Sequence, residues 1–291
     1  METARPPRLF DHALIARRAA ALERRGIADD FMMPRLAGDL AERLMMVLRE
    51  FPAALDLGSP GPAVADTLRR LPQIGRLHRA GAAGADLLCR LDALPVAPES
   101  LNLVVSAGAL HWVEDLPGVF AQVRRALAPD GLFLAALFGG DTLAELRQAF
   151  AAAEAETMGG TSPRVIPFAD VRDVGALLQR AGFALPVVDS ERTVVRYGDL
   201  MDLVRDLRRL GATNPLLARR RAPLRRDTLA RLDAIYRERF ADPDGRLRVT
   251  VEVVWLSGWA PHASQQQPLR PGSAKARLAD ALAATRNGRQ S

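Results

Sequence analysis

Ala53-Ala54-Leu55-Asp56-Leu57-Gly58-Ser59-Pro60-Gly61-Pro62 is the stretch that decides the fold of this chain. In it, an apolar run ends in an acid and a glycine turn, and residues 63–71 then have the periodicity of a helix. That order is the strand–loop–helix unit that begins a doubly wound sheet, whose first loop brings backbone close to a nucleotide-like ligand. The sequence therefore predicts an α/β fold of the Rossmann-like kind.

The bulk composition agrees with one large α/β domain. The chain has 291 residues, of which 48% are hydrophobic, and this is enough for a core of its own. The single cysteine, Cys89, excludes a disulfide framework and a cysteine-rich zinc site. No apolar run has the length of a membrane span, and residues 1–10 are too polar for a secretory signal.

These features predict a cytoplasmic protein if the chain is bacterial. Residues 13–25 are rich in alanine and arginine and are amphipathic, as organelle-targeting segments are. For a eukaryotic chain we therefore expect the mitochondrial matrix instead. No transmembrane segment is expected, and peripheral association with a membrane stays open.

The positive charge is concentrated in one segment. Residues 201–231 contain nine arginines and three acids, so their net charge of 9 − 3 = +6 equals that of the whole chain. A basic patch for an acidic partner is one interpretation. A solvated helical face is the interpretation we favour, because no aromatic residues are interleaved as platforms for base stacking. Nucleic acid is therefore not expected as a partner.

Strands and helices are predicted to alternate along the chain. The expected strands are 53–57, 74–78, 87–91, 101–106, 132–137 and 248–259, with an extended stretch at 185–196. The expected helices are 13–25, 35–50, 116–127, 142–156, 171–181, 199–210 and 227–240. This alternation favours a parallel sheet with right-handed crossovers. We expect an N-terminal helical lead at 1–50, a sheet domain at 51–260 with a helical cap inserted at about 199–245, and a polar, mobile tail at 261–291.

Two segments carry a resemblance to known families. Segment 104–117 resembles the region after the fourth strand in methyltransferases that use S-adenosylmethionine (SAM), of the malonyl-carrier-protein methyltransferase type. Phe138-Gly139-Gly140-Asp141-Thr142-Leu143 is more distinctive, and resembles the mitochondrial complex I assembly factors described as arginine hydroxylases and their bacterial relatives. Further matches lie at 9–11, 127–133, 159–163, 177–183, 258–262 and 270–274, so the resemblance spans most of the chain.

The resemblance implies a class I methyltransferase-like fold. For the animal member of the family it also implies hydroxylation of an arginine on a complex I subunit during assembly. A protein partner, and a respiratory complex I subunit in particular, is the partner that this resemblance predicts.

The resemblance also implies a SAM site, in which several positions match the family pattern and others depart from it. The cofactor-binding residues it implies are Asp56, Gly58, Gly61, Asp92, Ser106, His111 and Trp112. The departures are Pro60 and Pro62 in place of glycines, Arg79 in place of the acid that holds the ribose, and Arg90 in place of the acid that contacts the adenine. Proline has neither the backbone freedom of glycine nor an N–H, and Arg79 brings positive charge towards the sulfonium. We therefore predict that the SAM site is weakened or abandoned.

His111 and Asp141 are the candidate catalytic residues. His111 opens a helix at the strand edge where ligands bind in this fold, and a packed Trp112 beside a hydrogen-bonded histidine is an equal alternative. Asp141 is a candidate base or substrate anchor, although Asp-Thr after two glycines is also typical of a helix N-cap, which we favour. No set of metal ligands is predicted from the four histidines.

Three functions stay open at this point. The first is an assembly factor that modifies a protein partner, as the resemblance implies. The second is a working SAM-dependent methyltransferase, and the third is a scaffold without catalytic activity that keeps the fold for binding.

Overall fold

The computed structural model describes residues 8–25 and 31–265 of the chain. Through Pro261 the chain forms one compact unit. The predicted tail lies almost entirely outside the described residues, and so does the family-like segment 270–274. None of the described helices is both long enough and apolar enough to cross a membrane.

A seven-stranded sheet forms the centre of this unit. Its strands are β1 (Phe51–Leu57), β2 (Ile74–Gly81), β3 (Leu87–Leu88), β4 (Leu101–Ala107), β5 (Leu127–Phe138), β6 (Ala184–Tyr197) and β7 (Leu247–Trp259). They lie in the order β3-β2-β1-β4-β5-β7-β6. Strands β1 to β5 are parallel, and β7 is antiparallel to β5 and β6. Because the order reverses between β1 and β4, a crevice opens at their carboxyl ends, where doubly wound folds bind ligands.

Helices cover both faces of the sheet. The described helices are α1 (His12–Arg25), α2 (Met32–Met45), α3 (Ala63–Leu68), α4 (Leu116–Ala126), α5 (Ala144–Met158), α6 (Val171–Arg180), α7 (Leu200–Arg209) and α8 (Arg226–Phe240), with one turn of 3-10 helix at Leu110–Trp112. Helices α7 and α8 lie between β6 and β7 in the chain, within the segment predicted as an inserted cap.

Three apolar clusters hold these layers together. On one face, α2 and α3 pack Leu36 and Leu40 towards Trp255 of β7. On the other face, α4 and α6 pack against β5, where the rings of Phe120 and Phe133 lie 5.6 Å apart. Helices α5, α7 and α8 form the third cluster around β7. Each fully buried side chain of this size contributes about 1.5–3 kcal/mol through burial, so the clusters dominate the stability.

The α/β class is confirmed, and β1 to β5 are parallel as predicted, but β7 is antiparallel to both of its neighbours, so the sheet is mixed. Three element boundaries were also predicted wrongly. Strand β3 is only two residues long, because Arg90 and Ala93 bridge each other in a turn where the sequence predicted strand. Helix α2 begins and ends earlier than 35–50, since Leu48 is 97% exposed and has no apolar surface to pack against.

The turn predicted at residues 128–131 is part of β5 instead. The backbone bends there, with Asp130 at φ 63°, yet it continues to pair. Asp130 donates its N–H to the carbonyl of Ala260, and Ala260 donates its own to that of Gly131. These two hydrogen bonds join the bend to the residue that follows β7. The local sequence does not reveal this pairing, because the two segments are distant in the chain.

Candidate functional site

Two adjoining cavities lie at the carboxyl ends of the central strands. The smaller, which we call the loop cavity, has a volume of about 190 Å³ and lies between the β1–α3 loop, the end of β2 and helix α1. The larger, which we call the chamber, has a volume of about 430 Å³ and lies between the sheet and helices α2, α5, α7 and α8. Pro60, Gly108, Trp112 and Leu210 line both, so the two cavities meet at these residues.

The β1–α3 loop gives the loop cavity a wall of exposed backbone. Gly58 has φ 78°, and a Cβ on it would lie 2.7 Å from the Leu91 side chain, so only glycine fits there. Gly61 has φ 66° and also requires the left-handed region. Pro62 is exposed and begins α3, a position that suits proline. Of the two substituted prolines, only Pro60 lines the cavities.

Asp56 ends β1 as a buried acid without a hydrogen-bond partner. Its side chain is 1% exposed, and neither carboxylate oxygen accepts a hydrogen bond from any of the described residues. Burial raises the pKa of Asp56 to about 7, against the smaller opposing effects of Ser59 and the Arg79 guanidinium. An unpartnered acid that lines a cavity is suited to a ligand that brings a hydrogen-bond donor or a positive charge.

Arg79 spans the loop cavity from the end of β2. Its guanidinium donates to the carbonyl oxygens of Gly61 at 2.6 Å and Gly84 at 2.5 Å, and to Glu23 of α1 at 2.9 Å. Its Nε lies 3.9 Å from the Asp56 carboxylate. The side chain therefore ties three separate segments together across the end of β2.

The residues at the end of β2 do not fit the ribose of SAM. A ribose diol needs a carboxylate that accepts its hydroxyl protons, and Arg79 is donor-only. The guanidinium also holds positive charge close to where a sulfonium would lie. Asp56 suits the ammonium group of such a ligand, but the Arg79 guanidinium, which is paired with Glu23, already lies 3.9 Å from its carboxylate.

Two other predicted positions at the loop cavity, Arg90 and Asp92, form a pair with each other. Arg90 donates to both carboxylate oxygens of Asp92, at 2.8 and 2.5 Å. Arg90 holds the pKa of Asp92 below its usual range through this hydrogen bond. The carboxylate that the sequence assigned to cofactor binding is therefore engaged within the protein.

His111 and Trp112 lie where the two cavities meet. His111 lines the chamber and is buried, and its Nδ1 has no partner among the described residues. Its ring lies 4.4 Å from Trp112 and 4.9 Å from Phe138. Burial lowers the pKa of His111 to about 3, so the imidazole is neutral at physiological pH. The satisfied histidine of the alternative interpretation is not what the structure shows.

Asp141 and Ser106 line neither cavity. Asp141 pairs with the exposed Arg192 of β6, and no side chain caps α5, which begins after Leu143 at φ 56°. The favoured N-cap interpretation of Asp141 was therefore wrong. Ser106 is buried and donates to the carbonyl of Leu57 at 2.7 Å, which joins β4 to β1.

The sequence did not point to the residues that α1 and its neighbours bring to the loop cavity. Glu114 accepts the backbone N–H groups of Leu9 and Phe10, at 2.6 and 2.8 Å, and so anchors the segment before α1. Glu23 and Arg18 of α1 line the cavity. They are five positions apart, which is not the i,i+3 or i,i+4 spacing of one helix face, so no local pattern indicates that both reach the end of β2.

Across the described part of the chain, no three His, Cys, Asp or Glu side chains are close enough together to hold a metal ion. Cys89 is half-buried at the loop cavity, and burial raises the pKa of its thiol. At neutral pH this cysteine is therefore mostly protonated.

The strand order, the glycine turn after β1 and the cavities at the strand ends define a protein of the class I methyltransferase fold. Residues 75–135 match the family model described as a methyltransferase domain. The fold is similar to that of BH2331, a candidate methyltransferase of Bacillus halodurans, with a TM-score of 0.52 at 13% identity, over 78% of this chain and 99% of that one.

Two curated relatives are similar over most of their length. The human mitochondrial arginine-hydroxylase NDUFAF5 is 37% identical over 258 residues, which cover 84% of this chain and 74% of the relative. The malonyl-[acyl-carrier protein] O-methyltransferase of Laribacter hongkongensis is 41% identical over 219 residues, covering 75% and 70%. The chain belongs to the family of methyltransferase-fold proteins that includes the arginine-hydroxylase NDUFAF5.

Proposed function

We propose that this chain is an assembly factor that modifies an arginine of a respiratory-complex subunit. The observation that carries the proposal is the similarity to the arginine-hydroxylase NDUFAF5, which covers 84% of the chain and so extends beyond the central parallel strands. In a bacterium such a protein would act in the cytoplasm, and in a eukaryote in the mitochondrial matrix. Association with a membrane surface would follow from the location of the partner.

His111, which lines the chamber next to Trp112, is the residue we assign to the substrate. It is neutral, so it can hold a proton on one ring nitrogen while the other accepts a hydrogen bond. Its Nδ1 has no internal partner and can therefore orient a polar substrate group. The Trp112 ring packs against it at 4.4 Å and 50°, which fixes the side of the imidazole that faces the chamber. SAM has no assigned role in this modification, because Arg79 and Glu23 occupy the end of the loop cavity where its ribose would bind.

A capture experiment followed by mass spectrometry tests the proposal. The chain would be expressed together with the respiratory subunit of its own organism, so that the cell supplies the molecular oxygen and the two-electron reductant that hydroxylation consumes. The captured subunit would then be compared with one expressed without the chain. We expect complex formation and the added mass of one oxygen atom on an arginine. The His111→Ala variant should abolish the modification, while the exposed His78→Ala serves as the matched control.

Two outcomes would contradict the proposal. Complex formation without any added oxygen would favour the non-catalytic scaffold. Absence of a complex, with the full chain folded, would remove the protein partner altogether.

SAM-dependent methyl transfer is a second candidate, favoured by the similarity to the malonyl-[acyl-carrier protein] O-methyltransferase and by the unpartnered carboxylate of Asp56. Calorimetric titration with SAM and S-adenosylhomocysteine separates it from the first. A dissociation constant near 1 μM, about −8 kcal/mol, would support methyl transfer. No heat, with an unchanged melting temperature at high ligand, would exclude SAM as a resident cofactor.

A further inference from the structure

The wall of the chamber is apolar over most of its area. It contains side chains from seven helices and strands, and those of Leu146, Leu203, Leu232 and Val249 are buried. An engineered apolar cavity of about 150 Å³ stays dry and binds benzene. On that scale, a chamber of about 430 Å³ has room for a single chain on the order of 12 to 18 carbon atoms, but not for a lipid with two chains.

The charged residues around the chamber are all arginines. They are Arg164, Arg208, Arg219 and Arg220, and no described Asp or Glu lines the chamber. Two of the four are neutralised inside the protein. Arg164 donates to the buried Glu154 at 2.7 and 2.5 Å, and Arg219 donates to Asp11 at 2.9 Å.

Arg208 and Arg220 keep their charge unpaired. Both are exposed, Arg208 in the last turn of α7 and Arg220 in the segment that follows α7. Over the described ranges, neither has a carboxylate within ion-pair distance, and Arg220 contacts only the Met158 sulfur, at 3.8 Å. The chamber is thus apolar inside, with two free guanidinium groups where it opens to solvent.

This charge pattern selects among ligand classes. A guanidinium or ammonium group would meet like charge without any acid to balance it, so the arginine-lined opening of the chamber does not suit an acceptor arginine. An uncharged chain would fill the interior but leave the two arginines unused. An anionic group on an apolar chain satisfies both regions at once.

We propose that the chamber binds a single-chain anionic amphiphile. Its acyl chain lies against the apolar wall, and its carboxylate or phosphate is held by Arg208 and Arg220. The site shares the chamber with His111, but the proposal does not rest on the arginine-modifying activity and stands whether or not that activity is found.

Calorimetric titration of the full chain with three probes tests the site. The probes are dodecanoate, dodecyl phosphate and dodecanol, which share a chain and differ in the head group. We expect saturable binding of both anions. At low salt, the affinity for dodecanol should be about tenfold lower than for the anions, because dodecanol lacks the two exposed charge contacts. The ratio of the affinities for dodecanoate and dodecyl phosphate shows whether the site prefers a carboxylate or a phosphate head group. Equal affinity for all three probes would overturn the charge assignment, and no saturable binding would overturn the site.

Matched variants locate the ligand. Arg208→Gln with Arg220→Gln should lower dodecanoate affinity to that of dodecanol. Arg205→Gln with Arg221→Gln removes the same charge from neighbouring positions that do not line the chamber, and should leave affinity unchanged. Val204→Trp fills the chamber from α7 and should abolish binding of all three probes. Unaltered binding in the first double variant, which changes only exposed side chains, would contradict the proposal.

Discussion

The loop cavity and the chamber adjoin, but the first contains charged side chains of both signs and the second is lined mainly by apolar side chains. The loop cavity is crowded with charge, since Arg79 reaches across it to Glu23 and Asp56 lies buried beside them. The chamber is more than twice as large and apolar, with charge only where the arginines stand. The comparison teaches that two cavities at one edge of a sheet can suit different ligands, since an internal ion pair crosses the loop cavity while the chamber beside the inserted helices is apolar.

The largest loss of stability is expected when the buried ion pair between Arg164 and Glu154, beside the chamber, is broken. Arg164→Met leaves Glu154, which is fully buried, without its charged partner. Loss of one partner of a buried pair costs about 3–5 kcal/mol, so the melting temperature should fall steeply. Thermal unfolding measures this, with Arg208→Met as a control that should change little. Similar melting temperatures in the two variants would mean that Arg164 is not structural.

The second effect concerns the pH dependence of the loop cavity. The pKa of Asp56 is raised to about 7 in the folded protein from an ordinary 3.8, so the folded state holds a proton that the unfolded state releases. Stability contributed by this group is therefore lost as the pH rises from about 4 to 7, on the order of 3 kcal/mol. Asp56→Asn should gain stability over the wild type across that range.

Denaturant unfolding at pH 4.5 and pH 7.5 measures the Asp56 effect. The quantity of interest is the difference between variant and wild type, since other groups titrate in both. A difference that does not change with pH would show that Asp56 ionises normally.

The third prediction concerns the Arg79 side chain, whose removal should open the loop cavity. Arg79→Ala removes the positive charge from the end of β2 and frees Glu23 to accept ribose hydroxyls. We expect SAM affinity to rise about tenfold, equivalent to about 1.4 kcal/mol. The exposed Arg76→Ala on the same strand is the control. If calorimetry shows no gain, Arg79 is not what closes the cavity, and the combined Pro60→Gly, Pro62→Gly and Arg90→Asp variant becomes the next test.

The smallest effect is expected at Asp141, which lies outside both cavities. Its partner Arg192 is 63% exposed, and exposed ion pairs contribute about 0–1 kcal/mol. Asp141→Asn should therefore leave stability, probe binding and partner modification nearly unchanged. A large loss of modification would instead return Asp141 to the list of catalytic candidates.

The sequence predicted the fold well because hydrophobic periodicity and glycine turns act locally. Asp56 and Gly58 marked the strand end correctly, and the strand–helix alternation predicted the parallel strands β1 to β5 but not their order in the sheet. The site was predicted less well because it depends on contacts between distant segments. Glu23 and Arg79 are far apart in the chain, and no local pattern indicates that they meet. Asp141 was assigned a role from a local motif, but the residue with which it pairs, Arg192, lies far away in the chain on β6.

The pairing of Arg79 with Glu23 also has an evolutionary consequence. An arginine at the end of β2 without an acid on α1 would leave a cation uncompensated in the wall of the cavity, and an acid on α1 alone would stand near buried Asp56. Either single substitution is less favourable than both together. In an alignment of close relatives, positions 23 and 79 should therefore change in concert, and the order of the two changes should be readable from ancestral sequences.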